Sequence, residues 1–169
     1  MGIYYKRGLF MDYYSVYESE LGPLVLLSDG EALTGLYMNR EIPEMCSRLP
    51  VFDLAEAWLD DYFRGVIRAP DVPIRTGGTA FQELIWRLLA DIPYGTTRTY
   101  GSIAREAAML LGKAKMSAQA VGQAVGRNPV SILIPCHRVV GAGGKLTGYA
   151  GGIANKQWLL NHEIKKGKE

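Results

Sequence analysis

Apolar and polar positions alternate at the start of the chain. Tyr14, Val16 and the stretch from Tyr17 to Ser19 read as one strand, Leu21-Gly22-Pro23 as a turn, and Leu24 to Leu27 as a second strand. Successive side chains of a strand point to opposite faces, so alternation predicts a half-buried sheet. Asp29-Gly30 is a hairpin turn signal and Leu33 to Met38 supplies a third strand, making an antiparallel meander the simplest arrangement. From Asp53 the period lengthens. Ala55, Trp58, Leu59 and Tyr62 recur at helical spacing, Asp53 with Glu56 resembles a capping box, and Gly65 supplies a stop.

Residues 66–78 contain Pro70, Pro73, Gly77 and Gly78 without periodicity and read as a linker. A new helix is predicted from Thr79, with Gln82 three residues on. It buries Phe81, Leu84, Ile85 and Leu88 and stops at Ile92-Pro93, since proline disfavours helix in the residue before it. Two short helices follow. The first starts at Thr99 as N-cap and carries Tyr100, Ile103, Ala104 and Ala107 on one face. The second runs from about Ser117 to Gly126, with Ala118, Val121 and Val125 as a buried stripe and Gln119, Gly122, Gln123 and Gly126 on another face. Together they resemble a helix-turn-helix. The pattern predicts an α+β protein in two parts. Residues 1–78 form an N-terminal lobe of small antiparallel sheet and helix, and residues 79–169 a helix-rich lobe with a winged-helix-like helix-turn-helix.

Charge sharpens this division. Residues 1–79 hold 7 Lys/Arg against 12 Asp/Glu, a balance of −5, while residues 80–169 hold 12 against 5, a balance of +7. Such asymmetry suits a polyanion meeting the second half, and equally a basic face balancing an acidic one. The second helix of the pair is built from small residues, so its backbone can approach another surface closely. That suits the minor groove of B-DNA, roughly half as wide as the major groove, and also suits tight helix packing.

The remaining composition excludes other classes. Apolar stretches are too short for a membrane span, and the Met1-Gly2-Ile3-Tyr4-Tyr5-Lys6-Arg7 start carries no apolar core of an export signal. The only cysteines, Cys46 and Cys136, are too few for a disulfide scaffold and read as reduced thiols. A cytoplasmic location is expected, associated with the nucleoid if the source is bacterial. Two Cys and two His without CxxC or HxxxH spacing make a metal site an unfavourable reading.

The densest chemistry is the run from Asn128 to Val139. An apolar segment leads to Pro135, then a thiol, an imidazole and a guanidinium follow as Cys136, His137 and Arg138. A cysteine works as its thiolate, and a nearby base and positive charge lower its pKa toward neutrality. On an extended chain neighbours point apart, so His137 would act on Cys136 through a bridging water, with Glu163 orienting the imidazole. A buried structural cysteine, a zinc ligand and a Cys–His hydrolase are the competing readings.

The string Ile134-Pro135-Cys136-His137-Arg138-Val139 resembles the active-site signature of the O6-alkylguanine-DNA alkyltransferases, the methylated-DNA–protein-cysteine methyltransferases. Asn128-Pro129, Gly148-Tyr149-Ala150-Gly151-Gly152 and Trp158-Leu159-Leu160 fall around it in that family's order. The Ser19-to-Pro23 hairpin and Ala57-Trp58-Leu59 match more weakly. The resemblance implies single-turnover transfer of the alkyl group from O6-alkylguanine, and from O4-alkylthymine, in double-stranded DNA, with the damaged base flipped out from the minor-groove side. Cys136 would accept the group, His137 would be the water-linked base and Glu163 its partner. Tyr100 would donate to the guanine ring, the Val139 carbonyl would accept from the exocyclic amine, and Asn128 would hold the hinge. Tyr149 and Ala150 would wall the pocket, while Thr99, Ala118, Gln119, Gly122, Gln123, Arg127 and Arg138 would belong to the DNA-facing and bracing set. A monomer with no obligate protein partner, no membrane, no metal and no cofactor is implied. Gln119 stands where many members carry arginine, with Arg127 as a neighbouring substitute, and Ala150 stands where serine is common. Zinc ligands found in some members' first half are missing here. A non-catalytic lesion binder would lack Cys136, and a winged-helix regulator would not need the Pro135-Cys136-His137-Arg138 string.

Overall fold

The computed structural model describes residues 13–167. The Met1–Arg7 segment read for an export signal lies outside them. Three strands, β1 (Tyr13–Ser19), β2 (Gly22–Ser28) and β3 (Leu33–Met38), form an antiparallel sheet in that order, with Val16 opposite Val25 and Leu26 opposite Leu36. The expected turn at Leu21-Gly22-Pro23 is displaced: Glu20 and Leu21 make it, and Gly22 and Pro23 already belong to β2. Gly22 has φ of 86°, which a hairpin this tight requires and glycine adopts without strain.

Helix α1 (Pro50–Arg64) starts three residues before the Asp53 capping box. Proline's fixed φ suits the first helical position, so Pro50 sets the start with Leu49 as N-cap, and Asp53 lies in the first turn, where its charge favours the helix dipole. Gly65 ends it in the left-handed region as expected. The stripe Ala55, Trp58, Leu59 and Tyr62 is buried, extended by Val51 and Phe52. Residues 66–78 carry no helix; Ile74 among them forms one parallel bridge with Leu33 of β3.

Helix α2 (Ala80–Ala90) has the full Thr79–Gln82 capping box. Its buried face is Ile85, Trp86, Leu88 and Leu89; Phe81 and Leu84, expected inside, are half-buried. Strand β4 (Arg98–Thr99) leads into α3 (Tyr100–Leu110), and α4 (Ala118–Gly126) packs across it. Thr99 caps α3 and Ser117 caps α4, both through side-chain oxygens. The buried stripe of α4 is Val121, Ala124 and Val125, so Ala118 faces out beside Gln119, contrary to the expected stripe. The indole of Trp86 donates to the Ala124 carbonyl at 2.9 Å, tying α2 to α4.

A 3₁₀ turn (Cys136–Arg138) precedes strand β5 (Val139–Val140), which pairs in parallel with β4, and α5 (Ile153–Lys166) closes the chain. One continuous apolar core spans both halves, from Leu24, Leu36 and Phe52 to Ile85, Ile103, Val139 and Leu159. No described helix is long and apolar enough to cross a membrane.

Candidate active site

Cys136 is presented by a closed turn rather than an extended strand. Just past α4, Asn128 donates through Nδ2 to the carbonyls of Ile134 (2.8 Å) and Val130 (3.4 Å), and its Oδ1 accepts from the Val130 N–H (3.0 Å). Ile132 within this turn has φ of 70°, an unusual conformation for a β-branched residue that the surrounding bonds hold in place. The β3 edge braces the same segment, since the Leu36 N–H donates to the Pro129 carbonyl (2.8 Å) and the Ser131 N–H to the Leu36 carbonyl (3.1 Å).

Successive residues of a 3₁₀ turn are about 120° apart, so the Cys136 and His137 side chains still diverge, for a different reason than an extended chain would give. His137 Nε2 lies 2.7 Å from Glu163 Oε1, and its Nδ1 is buried without a hydrogen-bond partner. Arg138 turns the other way. Its Nε and Nη2 donate to Glu163 at 2.9 and 3.0 Å, and its Nη1 donates to the Ile92 carbonyl at 2.6 Å. Glu163 also accepts from the Gly95 N–H (3.0 Å) and, across the lobes, from the Tyr62 hydroxyl (2.8 Å). His137 and Glu163 are both 0% exposed.

The electrostatics follow from burial and partners. Burial pushes Glu163 upward, but His137 and Arg138 outweigh it and hold the carboxyl at about 2. Burial lowers His137 below its ordinary value against the opposing pull of Glu163. Cys136, 5% exposed, is raised by burial, which Asn128, Lys156 and Ser131 only partly offset. The free thiol is therefore neutral, and the expected lowering by adjacent positive charge does not occur: Arg138 is committed to Glu163, and the cation that favours the thiolate is Lys156.

Lys156 was not legible as a site residue. It is 0% exposed, its Nζ donates to the Thr147 carbonyl (3.2 Å), and it lies 5.9 Å from the ring centres of both Tyr100 and Tyr149. A signal did exist: Lys156, Leu159, Leu160 and Glu163 share the helical spacing of a buried stripe, which two ionisable residues enter only with a partner or a task. Ser131 and Tyr62 were also missed. The Tyr149 hydroxyl is buried beside Cys136 and Ser131.

Outside this cluster lies an open groove of about 920 Å³ lined by Thr99, Tyr100, Ala118, Gln119, Gly122 and Gln123 with glycines of the 141–148 loop. It gathers most residues expected to face DNA. Arg127 stands apart at the end of α4, in a second groove with Arg40, Asn39, Asn128 and Ala150. Val139 pairs with Arg98 in the short β4–β5 ladder. The 149–152 loop is tied to the N-terminal lobe where Asn39 Nδ2 donates to the Gly151 carbonyl at 3.0 Å. Among the described residues, no group of three or more His, Cys, Asp or Glu is placed to hold a metal ion.

An α+β chain with a buried thiol beside a His–Glu–Arg network, next to a groove walled by a small-residue helix, defines a class of thiol group-transfer proteins. Residues 13–76 match the family profile described as 6-O-methylguanine DNA methyltransferase, ribonuclease-like domain, and residues 80–165 match its DNA binding domain. The chain belongs to the methylated-DNA–protein-cysteine methyltransferase family. The Methanosarcina acetivorans protein of that name is 43% identical, over 89% of this chain and 97% of its own length. The Mycobacterium tuberculosis protein is 44% identical, over 90% and 93%. The crystal structure of Mycobacterium tuberculosis O6-methylguanine methyltransferase superposes with a TM-score of 0.80 at 42% identity, covering 92% of this chain and 94% of that one. A structure of the mycobacterial protein in complex with DNA gives 0.80 at 41% identity, covering 91% and 94%.

Proposed function

We propose that this protein repairs double-stranded DNA by moving the alkyl group of O6-alkylguanine, and of O4-alkylthymine, onto Sγ of Cys136, once per molecule and as a monomer. One observation carries the reading. A buried thiol sits beside a buried cation and an imidazole whose far nitrogen is locked to a buried carboxylate, leaving Nδ1 free to accept a proton. The small-residue face of α4 supports approach through the minor groove. O6 faces the major groove within the stack, so a minor-groove binder has to rotate the nucleotide out, and a poorly paired lesion costs least to extrude.

The Cys136 proton passes through a bridging water to His137 Nδ1, and Glu163 balances the imidazolium. The thiolate forms its bond to the alkyl carbon as the carbon–O6 bond breaks. The electron pair leaves on guanine, where a hydrogen bond from Tyr100 stabilises it. The Val139 carbonyl accepts from the exocyclic amine, Tyr149 and Ala150 wall the pocket, and Lys156 favours the thiolate. Thr99, Ala118, Gln119, Gly122 and Gln123 face the duplex, and Arg127 offers the cation that Gln119 lacks. The product is a thioether that water does not cleave, so no metal or organic cofactor is called for.

The test is intact mass after mixing with a duplex bearing O6-methylguanine. A gain of about 14 Da on the Cys136 peptide, stoichiometric and once only, is expected. Transfer that persists in Cys136→Ser, or no gain at all, would overturn the assignment.

A further inference from the structure

We infer that Tyr62, supplied by the N-terminal lobe, is a positioning residue of the His137–Glu163 relay and sets the basicity of His137 by sharing the carboxylate oxygen that His137 uses. The inference rests on the alkyl-transfer reading for its kinetic arm only. Glu163 Oε1 receives His137 Nε2 at 2.7 Å, the Tyr62 hydroxyl at 2.8 Å and Arg138 Nη2 at 3.0 Å; Oε2 receives Arg138 Nε at 2.9 Å and the Gly95 N–H at 3.0 Å. Tyr62 is the one donor in this set from the first half of the chain.

Its hydroxyl can only donate here. Burial and the charge of Glu163 push it well above its ordinary value, so it keeps its proton. The ring is fixed from several sides: Trp58 stacks on it at 5.4 Å, Phe63 and Tyr94 meet it edge-on at 5.4 and 5.9 Å, and His162 of α5 lies 5.5 Å away. The His162 ring also hydrogen-bonds the Tyr62 carbonyl at 2.9 Å, so α1 and α5 hold each other at this point. A hydroxyl held this rigidly is more than a space-filling group of the apolar stripe.

The consequence for the relay has a definite sign. A carboxylate oxygen shared by several donors, here including Arg138 Nε at 3.2 Å, offers each one less of its charge. Removing the Tyr62 hydroxyl concentrates charge on the bond to His137, stabilises the imidazolium and raises the imidazole pKa. The other charged and titratable groups facing the pair are Arg138 and Tyr94 beside Glu163, Lys156 and Cys136 on the thiol side, and His162 behind the Tyr62 ring; Tyr62→Phe changes none of them. Because His137 must be neutral to accept the thiol proton, the acidic limb of the pH–rate profile has to move to higher pH.

The experiment compares wild type and Tyr62→Phe in two ways: the pH dependence of the second-order methyl-transfer rate on an O6-methylguanine duplex, and the NMR titration of His137, one of only two histidines in the chain. The expected result is an acidic limb and a His137 midpoint both moved up by roughly half to one pH unit, with rates near pH 8 within about two-fold of wild type. Superimposable profile shapes with a uniformly scaled rate, together with an unmoved His137 midpoint, would reduce Tyr62 to a packing residue and overturn the proposal. If wild type transferred no methyl group, the alkyl-transfer reading would fail, and the NMR arm would still decide the role of Tyr62 without DNA.

Discussion

Removing the charge from Glu163 leaves Arg138 as a buried cation facing no anion, which costs several kcal/mol in folded proteins. Glu163→Gln is therefore expected to lower unfolding stability by about 3–5 kcal/mol in denaturant titrations and to slow methyl transfer as well. The same carboxylate makes the protein acid-labile. Glu163 is ionised at about 2 in the folded state against an ordinary 4.5, so its contribution is complete above 4.5 and is lost as pH falls toward 2. That contribution is roughly 3 kcal/mol. His137 acts in the same direction, because a folded-state pKa below 6.5 means the unfolded chain binds the extra proton and stability begins to fall as pH drops through about 6.5. Stability measured from pH 8 to pH 3 should decline first gently and then steeply; a curve flat from pH 7 to pH 5 would contradict the His137 assignment, and one flat from pH 4.5 to pH 3 the Glu163 assignment. At the thiol, Lys156→Met removes the cation that favours the thiolate, so methyl transfer at pH 7 should slow by roughly ten-fold and partly recover at pH 9, where hydroxide supplies the deprotonation.

Helix α4 separates what folding asks of an element from what the proposed duplex contact would ask. Its buried stripe is fixed by Val121, Ala124 and Val125, while Gly122 lies on the groove side, and a Cβ built there would meet the Tyr100 ring at an ordinary 3.8 Å. Leucine is a better helix former than glycine by roughly 0.5–1 kcal/mol, so Gly122→Leu should leave thermal stability level or raised. The added bulk on the thin face should nevertheless weaken duplex binding by ten-fold or more in anisotropy titrations at fixed salt. Equal affinity would remove α4 from the interface. Element by element, the sequence was readable wherever a period had room to develop. The three strands, the Thr79 box and the Gly65 stop were visible because each rests on local chemistry. The Asp53 start failed because Pro50 outranked a capping pattern further along. The β4–β5 ladder was invisible because two residues per strand hold no period. The Cys136 turn was misread as extended for a related reason. Every residue from Ser131 to Val140 is buried, so no alternation remains to distinguish a turn from a strand.

Across the whole molecule, the linker and the charge split suggest two lobes, and contacts among the described residues tie those lobes together. The edge of β3 exchanges backbone hydrogen bonds with the segment leading to Cys136, Asn39 holds Gly151, and Tyr62 reaches Glu163. None of this was legible beforehand, because hydrophobic spacing marks Tyr62 and Leu36 as buried without saying against what. Leu36 is 0% exposed in the core that runs on to Ile85 and Ile103. Leu36→Ala removes methyl groups from that shared core and should cost about 2–5 kcal/mol. If the lobes were independent, the loss would appear only in the amides of β1 to α1. With the core continuous, native-state hydrogen exchange should show the slowest amides of α2 and α3 losing the same protection as those of β2, because all open through one global unfolding. Protection in α2 and α3 that stays at the wild-type level while β2 weakens would mean that the N-terminal lobe merely docks on an autonomous catalytic half, and the coupling argued for Tyr62 would then rest on its single hydrogen bond.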